Sequence, residues 1–97
     1  MFRHVFIAAV KEGVTPEKIQ EIVRDLKALR KTFSTVQTGE NLGWFNPLTQ
    51  ITLTADFEDK AAFEKFLNSP EHNNIVKNYL DCYKPDMIFT SQFELDE

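Results

Sequence analysis

Along this chain the spacing of hydrophobic positions switches between every second residue and every third or fourth, and the switches divide it into elements. Phe2 to Val10 alternates, with Phe2, His4, Phe6, Ala8 and Val10 on one face and Arg3, Val5, Ile7 and Ala9 on the other. Both faces are mostly apolar, so this strand belongs in the middle of a sheet, covered above and below. Lys11 to Val14 turns the chain. Thr15 then caps a helix that starts at Pro16, with Glu17 in its first turn and Ile19, Ile22, Val23, Leu26 and Leu29 at helical spacing. Ser34 to Leu42 is Thr-rich and alternating, which suits an edge strand in which Gly39 marks a bulge. Gly43 to Leu48, with an aromatic pair and an Asn-Pro step, reads as a connection. Gln50 to Phe57 alternates plainly, with Ile51, Leu53, Ala55 and Phe57 on one side.

Phe57 to Tyr83 carries two helical patterns hinged at Ser69-Pro70. Asp59 caps the first, whose stripe is Ala62, Phe63, Phe66 and Leu67. Ser69 caps the second and Pro70 opens it, where the missing N–H of proline costs nothing. The second stripe is Ile75, Val76, Tyr79, Leu80 and Tyr83. At about 100° per residue His72 falls within about 60° of Ile75, Val76 and Tyr79, so its imidazole points inward. Lys84-Pro85-Asp86 breaks the pattern, and Met87 to Leu95 gives a last strand with Met87, Phe89, Phe93 and Leu95 on one side.

The order βαββαβ predicts an α+β fold of the ferredoxin-like plan, an antiparallel sheet with helices on one face. The helices cover Ile51, Leu53 and Phe57. The other face is then left with Val5, Ile7 and Ala9 beside Thr52 and Thr54, a surface best hidden by a second sheet, which predicts a homodimer through the sheet face.

Ninety-seven residues make one domain, 1–97, and 42% hydrophobic content with nine Phe supplies its core. The net charge of −4 argues against nucleic acid, and the one dense basic set, Arg24, Lys27, Arg30 and Lys31, reads as a solvated helix end. The run Val5 to Val10 is too short to span a membrane, so a membrane partner is not expected. The lone Cys82 forms no intrachain disulfide and suits a reducing compartment, so the expected location is cytoplasmic. His4 and His72 with nearby carboxylates reproduce no compact metal-ligand spacing, and Gly13, Gly39 and Gly43 are too scattered for a phosphate loop. No metal and no cofactor are expected.

The stretches FRHVFIAAVKEGVTPEKIQEIVRDLKAL and LTADFEDKAAFEKFLNSPEHNNIVKNYL, with the closing strand, resemble the stress-responsive dimeric α/β barrel (Dabb) family over nearly the whole chain. The resemblance rests most on Arg3-His4-Val5, on Lys11 to Thr15, and on Phe57-Glu58-Asp59 followed by Ser69-Pro70-Glu71-His72. It implies a ferredoxin-like fold that dimerises into an α+β barrel. Many members of the family have no assigned activity, while others resemble polyketide cyclases in which a helix His and a nearby Tyr do acid-base work. His72 matches the helix His and His4 a first-strand His. The cyclase Tyr falls at Phe66, which can neither donate nor accept a proton, and a further pocket His falls near Ile51, departures that weigh against the cyclase reaction.

What the resemblance leaves is an apolar cavity between sheet and helices, with His4 and His72 as tentative catalytic residues and Phe6, Ile51, Phe66, Tyr79 and Phe89 as walls. Trp44, with Phe45, forms a lip or merely packs within its connection. The two imidazoles have three open roles: acid-base catalysis, ligand contact, or a structural hydrogen bond such as one from His72 to Ser69. Two functions follow. One is a small-molecule-binding homodimer of the stress-responsive type, taking a small apolar or carbonyl-containing ligand. The other is a cofactor-independent lyase, isomerase or polyketide-cyclase-like enzyme in which His72 removes a proton beside a carbonyl and His4 or Tyr79 steadies the oxyanion.

Overall fold

In the computed structural model, which describes residues 1–96, the chain runs β1 (Phe2–Val10), α1 (Pro16–Ala28), β2 (Gln37–Glu40), β3 (Ile51–Phe57), α2 (Lys60–Leu67), α3 (Pro70–Tyr79) and β4 (Tyr83–Glu94). Short 3₁₀ turns, Leu29–Lys31 and Leu80–Cys82, follow α1 and α3. Glu97, the last residue of the expected domain, lies outside the described residues. The four strands form one antiparallel sheet in the order β2-β3-β1-β4. The strand that is apolar on both faces is therefore central.

Local chemistry explains each helix start. The Thr15 hydroxyl accepts from the Lys18 N–H at 3.1 Å, an Asp59 carboxylate oxygen from the Ala62 N–H at 2.9 Å, and the Ser69 hydroxyl from the His72 N–H at 3.2 Å. Each cap satisfies an N–H that has no partner inside its helix. Ile19, Ile22, Val23 and Leu26 of α1 are buried against the sheet side that carries Ile51, Leu53, Ala55 and Phe57. The helices thus lie on one face.

Register assigns the two faces. His4 pairs with Ala55 on β3 and Gln92 on β4, and Phe6 pairs with Leu53 and Thr90, all on the helix side. Val5 and Ile7, half-buried, lie on the opposite side beside Thr54 and Thr52 from β3 and beside Ser91 and Phe89 from β4. Arg3 and Asp56, directly opposite on β1 and β3, form a two-point ion pair at 2.8 and 3.1 Å on that face.

The structure departs from the sequence expectation at β2 and β4. β2 is only four residues long, because a turn closed by the Val36 N–H to Phe33 carbonyl bond precedes it and the Asn41 side chain clamps the chain after it, donating to the Thr49 carbonyl and accepting from the Gly43 N–H. β4 begins at Tyr83 rather than Met87, so Tyr83 belongs to a strand and not to the last helix. Pro85 is tolerated within β4 for two reasons: β4 is an edge strand, and its register with β1 is irregular between the pairs Val10–Tyr83 and Ala8–Ile88. Phe89 consequently faces away from the helices and is 49% exposed.

Candidate functional site

His4 is the one buried histidine, carried at the middle of the helix side of β1, where a β-branched or aliphatic residue would ordinarily sit. Its ring packs on Phe63 with centroids 4.8 Å apart and lies 6.4 Å from Phe66. Gln92, its neighbour on β4, donates its side-chain N–H to His4 Nδ1 at 2.9 Å. The neutral ring therefore carries its proton on Nε2.

His72 comes from the first turn of α3. Its Nδ1 lies 3.1 Å from the Leu67 carbonyl, near the C-terminus of α2. A carbonyl only accepts, so Nδ1 carries the proton and Nε2 of the neutral ring keeps its lone pair. The contact also satisfies a carbonyl at the end of a helix, where the regular pattern leaves carbonyls without partners. The Ser69 hydroxyl is bonded to the His72 backbone N–H, not to the ring, and donates to the Phe66 carbonyl at 2.8 Å. His72 thus ties the hinge with one nitrogen and leaves the other unengaged.

Phe66 stands between the two imidazoles, 2% exposed, its ring 5.0 Å from His72 and set edge-on to Phe33 at 5.0 Å. Beside it is a cavity of about 100 Å³ lined by both histidines. Leu26 and Leu29 from α1, Leu53 from β3 and Ile75 from α3 supply its apolar wall, while Val76 and Leu80, 40% and 54% exposed, stand at its rim. Burial pushes the pKa of His4 down, and the neighbouring His72 charge pushes it further. Burial also pushes His72 down, against the opposing effect of the Leu67 carbonyl bond. Both rings are favoured as neutral imidazoles.

The cavity brings together only part of the expected set, namely His4, His72 and Phe66. Phe6 stacks edge-on with Tyr83 at 5.9 Å, next to the cavity wall, and Ile51 is fully buried near the end of the sheet, opposite Ala8. Phe89 is on the far face, and Trp44 is 86% exposed on the β2–β3 connection with Phe45 at 92%, so neither lines the cavity. Tyr79 is buried, but its hydroxyl is bonded to Glu21, at 2.8 Å, and to Asp25, both on α1. Those bonds turn it away from the role of oxyanion partner.

Tyr83 and Gln92 are the residues that sequence reasoning missed. Tyr83 lines the cavity, and Gln92 fixes the His4 tautomer. The alternation of β4 carried the signal for Gln92, but its pairing with His4 depends on a register that local pattern does not state. Among the described residues, no three of His, Cys, Asp and Glu gather as metal ligands, and no helix is long and apolar enough to cross a membrane.

The model of the stress responsive A/B barrel domain, Dabb, matches residues 2–91. A comparison with curated proteins finds no match. Among solved structures the chain is similar to a protein from Arabidopsis thaliana, at 22% identity and TM-score 0.79, covering 100% of this chain and 97% of that one. It is similar to a dimeric ferredoxin-like protein of unknown function from Thermobifida fusca, at 18% identity and TM-score 0.85, covering 97% of this chain and 90% of that one. It is also similar to a hydroxynitrile lyase from Passiflora edulis, at 18% identity and TM-score 0.80, covering 99% of this chain and 94% of that one. At such identities the likeness speaks for the fold alone. With its ferredoxin-like sheet, its helices on one face and a family match over nearly its full length, the chain belongs to the stress responsive A/B barrel domain (Dabb) family.

Proposed function

We propose that this chain is a small-molecule-binding protein that works as a homodimer, with its ligand held between sheet and helices and its subunits joined through the opposite sheet face. One observation carries the binding reading: an apolar cavity of about 100 Å³ whose lining includes two imidazoles, each with one nitrogen engaged and one free. Neither free nitrogen is sealed in packing, so each is open to bond a molecule in the space beside it. Dimerisation is supported by the apolar and Thr-rich face of Val5, Ile7, Thr52, Thr54, Phe89 and Phe93, and by the dimeric ferredoxin-like neighbour from Thermobifida fusca. A cytoplasmic location belongs to this reading, since the single half-buried Cys82 needs no oxidising compartment.

His72 favours a second reading, a cofactor-independent lyase or isomerase. With Nδ1–H anchored on Leu67, its free Nε2 has the lone pair that a general base requires. A neighbour of the same fold, from Passiflora edulis, is a hydroxynitrile lyase, which supports this second reading.

The test is to denature purified protein, identify any released small molecule by mass spectrometry, and return that molecule to fresh protein. Stoichiometric rebinding that is lost in His72→Ala supports the binder. Turnover selects the enzyme, and an empty protein that takes up no small molecule refutes both.

A further inference from the structure

The two tyrosines of the α3–β4 region have opposite fates. The Tyr79 hydroxyl is bonded to carboxylates of α1, whereas the Tyr83 hydroxyl has no hydrogen-bond partner although the residue is only 6% exposed and lines the cavity. Among the described residues no fully enclosed side-chain polar atom lacks a partner, so the Tyr83 hydroxyl and both histidine Nε2 atoms are open to the space beside them rather than sealed in packing. Three residues that line the cavity therefore each carry one unengaged polar atom.

Their hydrogens are determined by what lies behind them. Leu67 forces His72 Nε2 to accept, and Gln92 forces His4 Nε2 to donate. Burial pushes the Tyr83 phenol up to about 12, which keeps its proton in place as a second donor. No Lys, Arg, Asp or Glu lines the cavity, so a charged ligand would lose its hydration without gaining a counter-charge. A pure hydrocarbon would fit the walls and leave three polar atoms unpaired. At about 100 Å³ the space holds about three water molecules' worth of matter, a compound of only a few heavy atoms.

We propose that the cavity selects a small uncharged hydroxy-carbonyl compound, its hydroxyl donating to His72 Nε2 and its carbonyl oxygen accepting from His4 Nε2–H and the Tyr83 hydroxyl. This rests on the reading of the cavity as a ligand site and adds to it the ligand's chemical class and Tyr83 as a binding residue. A site built to bond two groups discriminates strongly against molecules that lack either one.

The experiment is a nuclear magnetic resonance titration of ¹⁵N-labelled protein with hydroxyacetone, acetone, 2-propanol and lactate. Hydroxyacetone is expected to shift the His4, His72 and Tyr83 signals and to bind about tenfold more tightly than acetone or 2-propanol, with lactate not binding. Tyr83→Phe, which keeps the ring on Phe6, is expected to weaken hydroxyacetone about tenfold and leave 2-propanol unchanged. Equal affinities for the three neutral probes, binding of lactate at hydroxyacetone strength, or an unchanged Tyr83→Phe overturns the ligand class while the cavity stays a binding site. No shift at the cavity with any of the four probes overturns the class as well, and recovery of a different bound compound by mass spectrometry then shows whether the cavity reading survives.

Discussion

The His72 ring donates Nδ1–H to the Leu67 carbonyl at 3.1 Å, so one imidazole both closes the hinge between α2 and α3 and joins His4 in lining the cavity, its other nitrogen unengaged. A hydrogen bond of this kind contributes about 1 kcal/mol. His72→Ala is therefore expected to lower the free energy of unfolding in urea by about 1 kcal/mol and to leave the mass by light scattering unchanged. A loss of several kcal/mol would make the residue chiefly structural. Unchanged stability would mean that the Leu67 carbonyl is equally well satisfied by water.

Stability should also depend on pH through these two rings, the only histidines in the chain. Folding lowers both from the ordinary value of 6.5, by burial in each case and for His4 also by the charge of His72. As pH falls, the unfolded chain binds protons first, and stability drops wherever the unfolded state holds more protons. The contribution is thus fully present above about pH 6.5 and is lost as pH falls from there through the depressed native values. Thermal melts between pH 8 and pH 5 should show a declining Tm over about that window, and a His4→Gln, His72→Asn double variant should flatten it. Asp56 and Glu21 are also held low, by Arg3 and by Lys18 with Tyr79, but from ordinary values of 3.8 and 4.5, so their losses come at more acid pH.

These residues also show how far the sequence could be read. The helix starts were legible because Thr15-Pro16, Asp59 and Ser69-Pro70 act within one turn of themselves. The central place of β1 was legible because both its faces are apolar. The start of β4 was not, because Pro85 ends most strands and is tolerated here only by an edge position and an irregular register, both properties of the assembled sheet. That one boundary decided which tyrosine reaches the cavity. Alternation likewise put Phe89 and Phe93 on one side of β4, but register with Ile7 and Arg3, not alternation, makes that side the one away from the helices.

Tyr79→Phe offers a contrast with Tyr83→Phe. The Tyr79 hydroxyl latches α3 to Glu21 and Asp25 of α1, and Lys18 is paired with the same Glu21 at 3.0 Å. Removing the hydroxyl keeps the buried ring and breaks the latch. The expected result is a loss of about 1 kcal/mol, or about 5 °C in Tm for a domain of this size, with hydroxyacetone affinity unchanged. A weaker affinity in Tyr79→Phe would place Tyr79 in the binding machinery after all.

The sheet face opposite the helices gives the sharpest test of assembly. Phe89 and Phe93 are 49% and 50% exposed in the single chain, so they contribute little to its own core and their replacement should leave the fold intact. In a dimer closed by a two-fold axis the same patch meets itself, and each substitution enters the interface twice. Phe89→Asp with Phe93→Asp would then bury four carboxylates without partners, at an effective cost of several kcal/mol per ion. Light scattering after size exclusion should show the mass fall from twice 11.3 kDa to 11.3 kDa, with far-ultraviolet circular dichroism unchanged. A double variant that keeps the dimer mass excludes this face as the interface, since no ordinary dimer interface absorbs four unpaired charges at its centre.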